Sequence, residues 1–220
     1  MPKAVSEVFD PLRNDLVGIH VRWALQRRIF GFEERRIDLL NRISSMFFGY
    51  AQSAMYHEII LALCRYTDPA ESRKKIGARP TLTLERLVDA VRADDPTFGG
   101  QLETAEWDAV KKYRDTHFMA IRHTRIAHND RPTMVARFTG QQIPWPSREQ
   151  VHRFLTLCTD LMGKVHQHYF GCPFGFDIGA SDAEHIGDTL VKVLEEFAER
   201  HDAEVRAGER SWLIRPLGFP

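Results

Sequence analysis

The segment with the clearest chemical capability is Arg122-His123-Thr124-Arg125-Ile126-Ala127-His128-Asn129. Imidazole, with an unperturbed pKa of about 6.5, gives or takes a proton near neutrality. Guanidinium stays charged and presents a planar fork that fits a phosphate or carboxylate through two N–H bonds. Residues 111–131 hold six Lys or Arg and three His against two acids. The whole chain carries 30 basic and 30 acidic residues, so this excess is local. A helix C-terminus attracts cations because its macrodipole places partial negative charge there. That accounts for Arg125 and His128, but not for four such groups beside an apolar stripe.

Other familiar chemistries lack a partner. His57-Glu58 begins like a zinc-protease helix, but the fourth residue after His57 is Leu61. His166 and His168 are two apart and point to different faces of a helix, which reads as a solvated pair. No C-x-x-C occurs, and Gly163-Lys164 has Cys158 where a phosphate loop needs glycine. Gly171, Gly175 and Gly179 follow no strand, against a dinucleotide fingerprint. The reading calls for no metal and no cofactor. His20, His57 and His117 lie on or beside apolar stripes and read as hydrogen-bonded core or interface residues. Arg65 and Asp68, three apart at a helix end, read as a local ion pair.

The elements that must carry this segment are helices. Apolar residues recur at three- and four-residue spacing from about 10 to 30, 33 to 66, 84 to 93, 103 to 127, and twice after Pro146. Gly31, Asp68-Pro69, Asp94-Asp95-Pro96 and Gly99-Gly100 interrupt them. Ser147 with Gln150, and Ser181 with Glu184, have capping-box spacing. No strand pair or repeat is legible, so the fold class is all-α. Residues 1–170 read as one helical domain, and 171–220 as a loop, a helix and an apolar tail packed on it. Three scattered cysteines, no secretory h-region and no apolar run long enough for a membrane give a cytoplasmic expectation with no membrane partner.

Arg122 through Asp130, RHTRIAHND, resembles the Arg-x(4–6)-His motif of the HEPN superfamily of helical ribonucleases and RNA-binding proteins. The abortive-infection AbiU-type branch is the nearer likeness. Its second signature is similar to Leu63-Cys64-Arg65-Tyr66-Thr67-Asp68-Pro69 followed by Thr81-Leu82-Thr83-Leu84. The resemblance spans about residues 15–170. It implies a helical bundle that dimerises through the motif helices and cleaves RNA without a metal. It further implies a toxin, or toxin–antitoxin, role in antiviral defence, with an antitoxin or regulatory protein as partner. The alternative it leaves is a non-catalytic RNA-binding or protein-interaction module.

On that resemblance Arg122, His128 and His123 are the catalytic candidates: His128 as acid or base, Arg122 on transition-state charge, His123 as second proton carrier. Arg125 and Asn129 are the substrate-binding candidates. RNA supplies its own nucleophile, the 2′-hydroxyl, so proton transfer and charge stabilisation suffice. Residues six apart on a helix differ by about 120° in azimuth, so Arg122 and His128 do not share a face. A homodimer that sets two motif copies opposite each other resolves this. Asp130 stands where HEPN toxins controlled by adenylylation carry tyrosine, which argues against a nucleotidyltransferase antitoxin.

Overall fold

The computed structural model describes residues 1–31, 33–70, 81–122 and 145–207. Their regular secondary structure is helical, with no strand among them. α1 (Lys3–Phe30) starts seven residues before the expected position and runs through Pro11. Pro11 removes one amide, but both it and Glu7, whose carbonyl loses that bond, are exposed to water. On the opposite side Val5, Phe9, Leu12, Leu16 and Ile19 are at most 1% exposed. Burying side chains of this size is worth about 1.5–3 kcal/mol each, which outweighs the lost bond.

α2 (Glu34–Tyr66) is interrupted at Ser44, whose φ of −165° and ψ of 88° are extended. α3 (Leu84–Asp94) is capped by Thr83 and buries Leu84, Leu87, Val88 and Val91. Asp95 then caps α4 (Pro96–Leu102) through Phe98 N at 3.0 Å, with Pro96 in the first turn. The expected break at Gly99-Gly100 is therefore helix. Gly99 lies against the Arg92 backbone, and a Cβ there would stand 2.3 Å from Arg92 Cα. It is a packing glycine, not a terminator.

A π-helical turn (Glu103–Trp107) joins α4 to α5 (Asp108–His117), and its extra residue resets the buried face so that Leu102 and Trp107 both face inward. α6 (Met119–Ile121) follows a kink at Phe118. Ser147 and Gln150 form the expected capping box on α7 (Arg148–Phe170). Gly171, at φ +70°, closes α7 by donating to Gln167 O at 2.9 Å. α8 spans Ala180–Arg206. The second expected capping box is absent: Ser181 is already inside the helix, after Gly179 at φ +84°.

Two compact units share the helices: residues 1–20 with 57–178, and 21–56 with 179–220. Residues 171–178 thus group with the first and α8 with the second. In the first unit, Phe118 and Phe154 are fully buried with ring centroids 4.5 Å apart. His166, far from being solvated, is 8% exposed, bonds Cys172 O through Nδ1 at 2.9 Å, and sits among Phe9, Phe170 and Phe174. His168 faces elsewhere, stacked on Phe98 at 3.8 Å.

The second unit is held by Ile29, Phe30 and Leu40, with Leu25, Phe48, Met55 and Leu194 packed on them. Asp188 accepts from Arg28 Nε and Nη2 at 2.7 and 2.6 Å and from Arg36 Nη2 at 3.0 Å. The hydrogen bond from Arg28, with that from Arg36, holds its carboxyl at a pKa of about 2. The apolar tail, residues 208–220, lies outside the described residues.

Candidate active site

α2 ends inside the first unit at Tyr66, and the chain turns at Thr67, Asp68 and Pro69. Thr67 is fully buried, and its hydroxyl donates to Leu63 O at 2.8 Å and Cys64 O at 3.2 Å. Thr67 N donates to the same two carbonyls at 3.2 Å, so one residue closes the helix end through both its backbone and its side chain. Tyr66 is anchored by its hydroxyl, which donates to Leu12 O at 3.2 Å. Desolvation pushes the Tyr66 phenol well above its usual range. This helix end is therefore a rigid platform, and Asp68 projects from it.

The residues leading into the motif come to that platform. Arg114 Nη1 donates to Thr67 O, and Arg114 Nε donates to Asp115 Oδ1 at 2.8 Å. Eight residues on, Arg122 Nη1 and Nη2 donate to Asp68 Oδ1 and Oδ2, the latter at 2.7 Å. Both partners are about one-fifth exposed. The kink is bridged by Phe118 N to Arg114 O at 2.8 Å and Arg122 N to Phe118 O at 3.0 Å. Burial pushes the Cys64 thiol, which feels the Arg122 charge, up to about 12. Cys64 is therefore a packing residue, not a nucleophile.

A guanidinium has five N–H bonds. Asp68 takes one from each η-nitrogen, end-on, so its grip does not use the Nε edge. That edge, Nε–H with the adjacent Nη–H, is a second fork of the kind that clamps phosphate. Carboxylate grip and phosphate clamp are thus compatible on one side chain.

His117 is also placed. Gln150 Oε1 accepts from Ser147 N at 2.7 Å, which fixes the amide orientation and turns Nε2 toward His117 Nδ1 at 3.0 Å. The amide nitrogen donates, so Nδ1 is the acceptor and the ring proton sits on Nε2. His20 is a structural residue, 2.8 Å from Thr159 Oγ1, and burial lowers its pKa. His57 stacks on Trp145 at 4.5 Å.

Of the candidates, Arg122 is the one the structure places. His123, Arg125, His128 and Asn129 lie outside the described residues. The local Arg65–Asp68 pair is not what forms: Arg65 reaches Glu58 at 3.9 Å, while Asp68 holds Arg122 from 54 positions away. Asp68 has left the helix before Pro69, so helical i,i+3 geometry does not apply to it. Asp68 is thus the site residue that the local reading missed. Its signal was the Thr-Asp-Pro helix end, already part of the second signature.

An all-helical chain that anchors the arginine of an Arg-x5-His segment on the acidic end of an earlier helix has the make-up of a HEPN-type protein. The AbiU2 family model, HEPN_AbiU2, matches residues 2–190, and the chain belongs to that family. The match runs beyond the 15–170 of the visible resemblance and takes in the first turns of α8. No curated protein and no solved structure matches the chain. No helix among the described residues is long and apolar enough to cross a membrane.

Proposed function

We propose that the chain is a metal-independent endoribonuclease acting as a toxin or phage-defence effector, with two motif copies forming one site across a homodimer. The observation that carries this is Arg122, the first residue of the motif, held by Asp68 through both of its η-nitrogens. A held guanidinium costs no reorganisation when charge builds on a phosphorane, which is what electrostatic catalysis requires.

In the reaction, the ribose 2′-oxygen attacks phosphorus and its proton passes to an imidazole. The bond to the 5′-oxygen breaks, and a second imidazole protonates that oxygen. The products are a 2′,3′-cyclic phosphate and a 5′-hydroxyl. His128 of each copy fills one of these roles, with His123 as the other candidate carrier. Arg125 and Asn129 hold the backbone or a base. Arg122 stabilises the phosphorane oxygens.

The test is incubation of the purified protein with a labelled RNA pool in EDTA, beside Arg122→Ala and His128→Ala. Cleavage by the wild type, reduced at least 100-fold in both variants, is expected from the usual worth of such groups. Wild-type activity indistinguishable from both variants overturns the assignment. RNA binding that weakens with salt, without cleavage, instead supports the non-catalytic module.

A further inference from the structure

The chain bends between the two arginines that meet the end of α2. Phe118, where α5 gives way to α6, has φ −120° and ψ −34°, well off the helical φ. Arg122 follows it on the same backbone ridge, its amide donating to Phe118 O at 3.0 Å. Four residues of helix are about 6 Å long, so a change of about 10° at the bend moves the start of the motif by about 1 Å. A misplacement of about 1 Å can cost a reaction about 100-fold. Something must therefore fix the bend.

Phe118 sets the depth of the bend. It is fully buried against Phe154, with ring centroids 4.5 Å apart. Apolar contact is non-directional, however, and opposes rotation only weakly. Arg114 supplies the direction. Its side chain is 11% exposed, and Nη1 donates to Thr67 O. Thr67 is the residue before Asp68, and its own N–H and hydroxyl are engaged by Leu63 O and Cys64 O. Arg114 and Arg122 thus grip adjacent positions of one rigid helix end, one from each side of the bend. The buried Cys64 thiol feels both of their charges together with that of Asp68.

A charge is a poor choice for filling space. Burying a guanidinium brings little net stability, and an apolar side chain of similar volume often serves as well. Asp115 Oδ1 accepts from Arg114 Nε at 2.8 Å, but that carboxylate is exposed and next in the chain, so it sets no long-range geometry. What the arginine adds is a directional bond to one carbonyl 47 positions away.

We infer that Arg114 is a positioning residue for Arg122: its bond to Thr67 O fixes the α5–α6 bend so that the Arg122 guanidinium meets both Asp68 oxygens. Its effect on RNA cleavage rests on the nuclease reading above, whereas its effect on Arg122 does not.

The experiment compares Arg114→Met, which keeps the stem and removes every donor, with Arg114→Lys, which keeps a donor for Thr67 O. The first readout needs no RNA. Asp68 restrains the Arg122 guanidinium, which should give resolved Nη–H signals in nitrogen-edited NMR, assigned by their loss in Arg122→Lys. Arg114→Met should broaden or abolish them with helical circular dichroism unchanged, and Arg114→Lys should keep them. The second readout is cleavage of labelled RNA. Arg114→Met should lower kcat by about 10-fold or more with KM within about twofold, and Arg114→Lys should recover most of that loss. If the methionine chain does not fold, Arg114→Gln, polar but too short to reach Thr67 O, takes its place in both readouts.

Arg122 signals that are absent from the wild type, or unchanged in Arg114→Met, overturn the inference. So does a raised KM at unchanged kcat, which marks a direct substrate contact, or a lysine variant as impaired as the methionine one. Arg122 signals that collapse in Arg114→Met, in a protein whose wild type cleaves no RNA, support the positioning role and overturn the nuclease reading instead.

Discussion

Removing Asp68 should cost the fold and disarm Arg122 together, and the two effects can be measured separately. Two charge-assisted hydrogen bonds join the pair, and each side chain is about one-fifth exposed. A fully exposed pair would contribute about 0–1 kcal/mol. A hydrogen bond to a charged group is worth about 1.5–3 kcal/mol. The position between these limits sets a coupling of about 1–3 kcal/mol. For a chain of this size that corresponds to roughly 2–12 °C in melting temperature.

The assay is a double-mutant cycle of Asp68→Asn and Arg122→Met, followed by urea unfolding at low and high salt. Coupling should survive 0.5 M NaCl better than that of Arg35 with Glu195, whose arginine is 79% exposed. In RNA cleavage, Asp68→Asn should lower kcat by about 10-fold or more with little change in KM, because only the orientation of Arg122 is lost. Single effects that add within about 0.5 kcal/mol would refute the coupling. A kcat at the wild-type value would refute the positioning role.

Acid unfolding should report the Asp188 clamp. The folded pKa of Asp188 is lowered from 3.8 to about 2, so its contribution is complete above the unfolded value and is lost as pH falls through about 2. Asp188→Asn should flatten the stability profile between about pH 4 and pH 2, seen by urea midpoints, relative to its own value at pH 7. Gly99→Ala should destabilise by about 1–3 kcal/mol, because its Cβ would strike the Arg92 backbone. Gly100→Ala, with nothing within 4 Å, should be neutral or stabilising by up to about 1 kcal/mol. Alkylation at pH 8 followed by mass spectrometry should label exposed Cys172 first, since burial holds Cys64 at about 12 and Cys158 higher still.

Local physics was legible in the order of residues. The capping box of Ser147 and Gln150, the stop at Asp68-Pro69 and the helical period of α7 each depend on neighbours within four positions. They could be read without knowing what packed where. Arg122-x5-His128 was legible for the same reason, being a run of types along one chain segment. The family is likewise written in the sequence, because its signatures are local.

Two features depended on tertiary contact. Helix α1 runs through Pro11 because a stripe of buried residues on its other side outweighs one missing bond. Gly99-Gly100 is helix because Gly99 meets Arg92, a neighbour that a turn signal cannot register. The Asp68–Arg122 fork is the functional case of the same rule. Sequence alone identified an arginine of the right type, at the right spacing, in the right family. Only the fold decided which carboxylate would hold it, because that partner lies 54 residues away and its distance is set by how the helices pack.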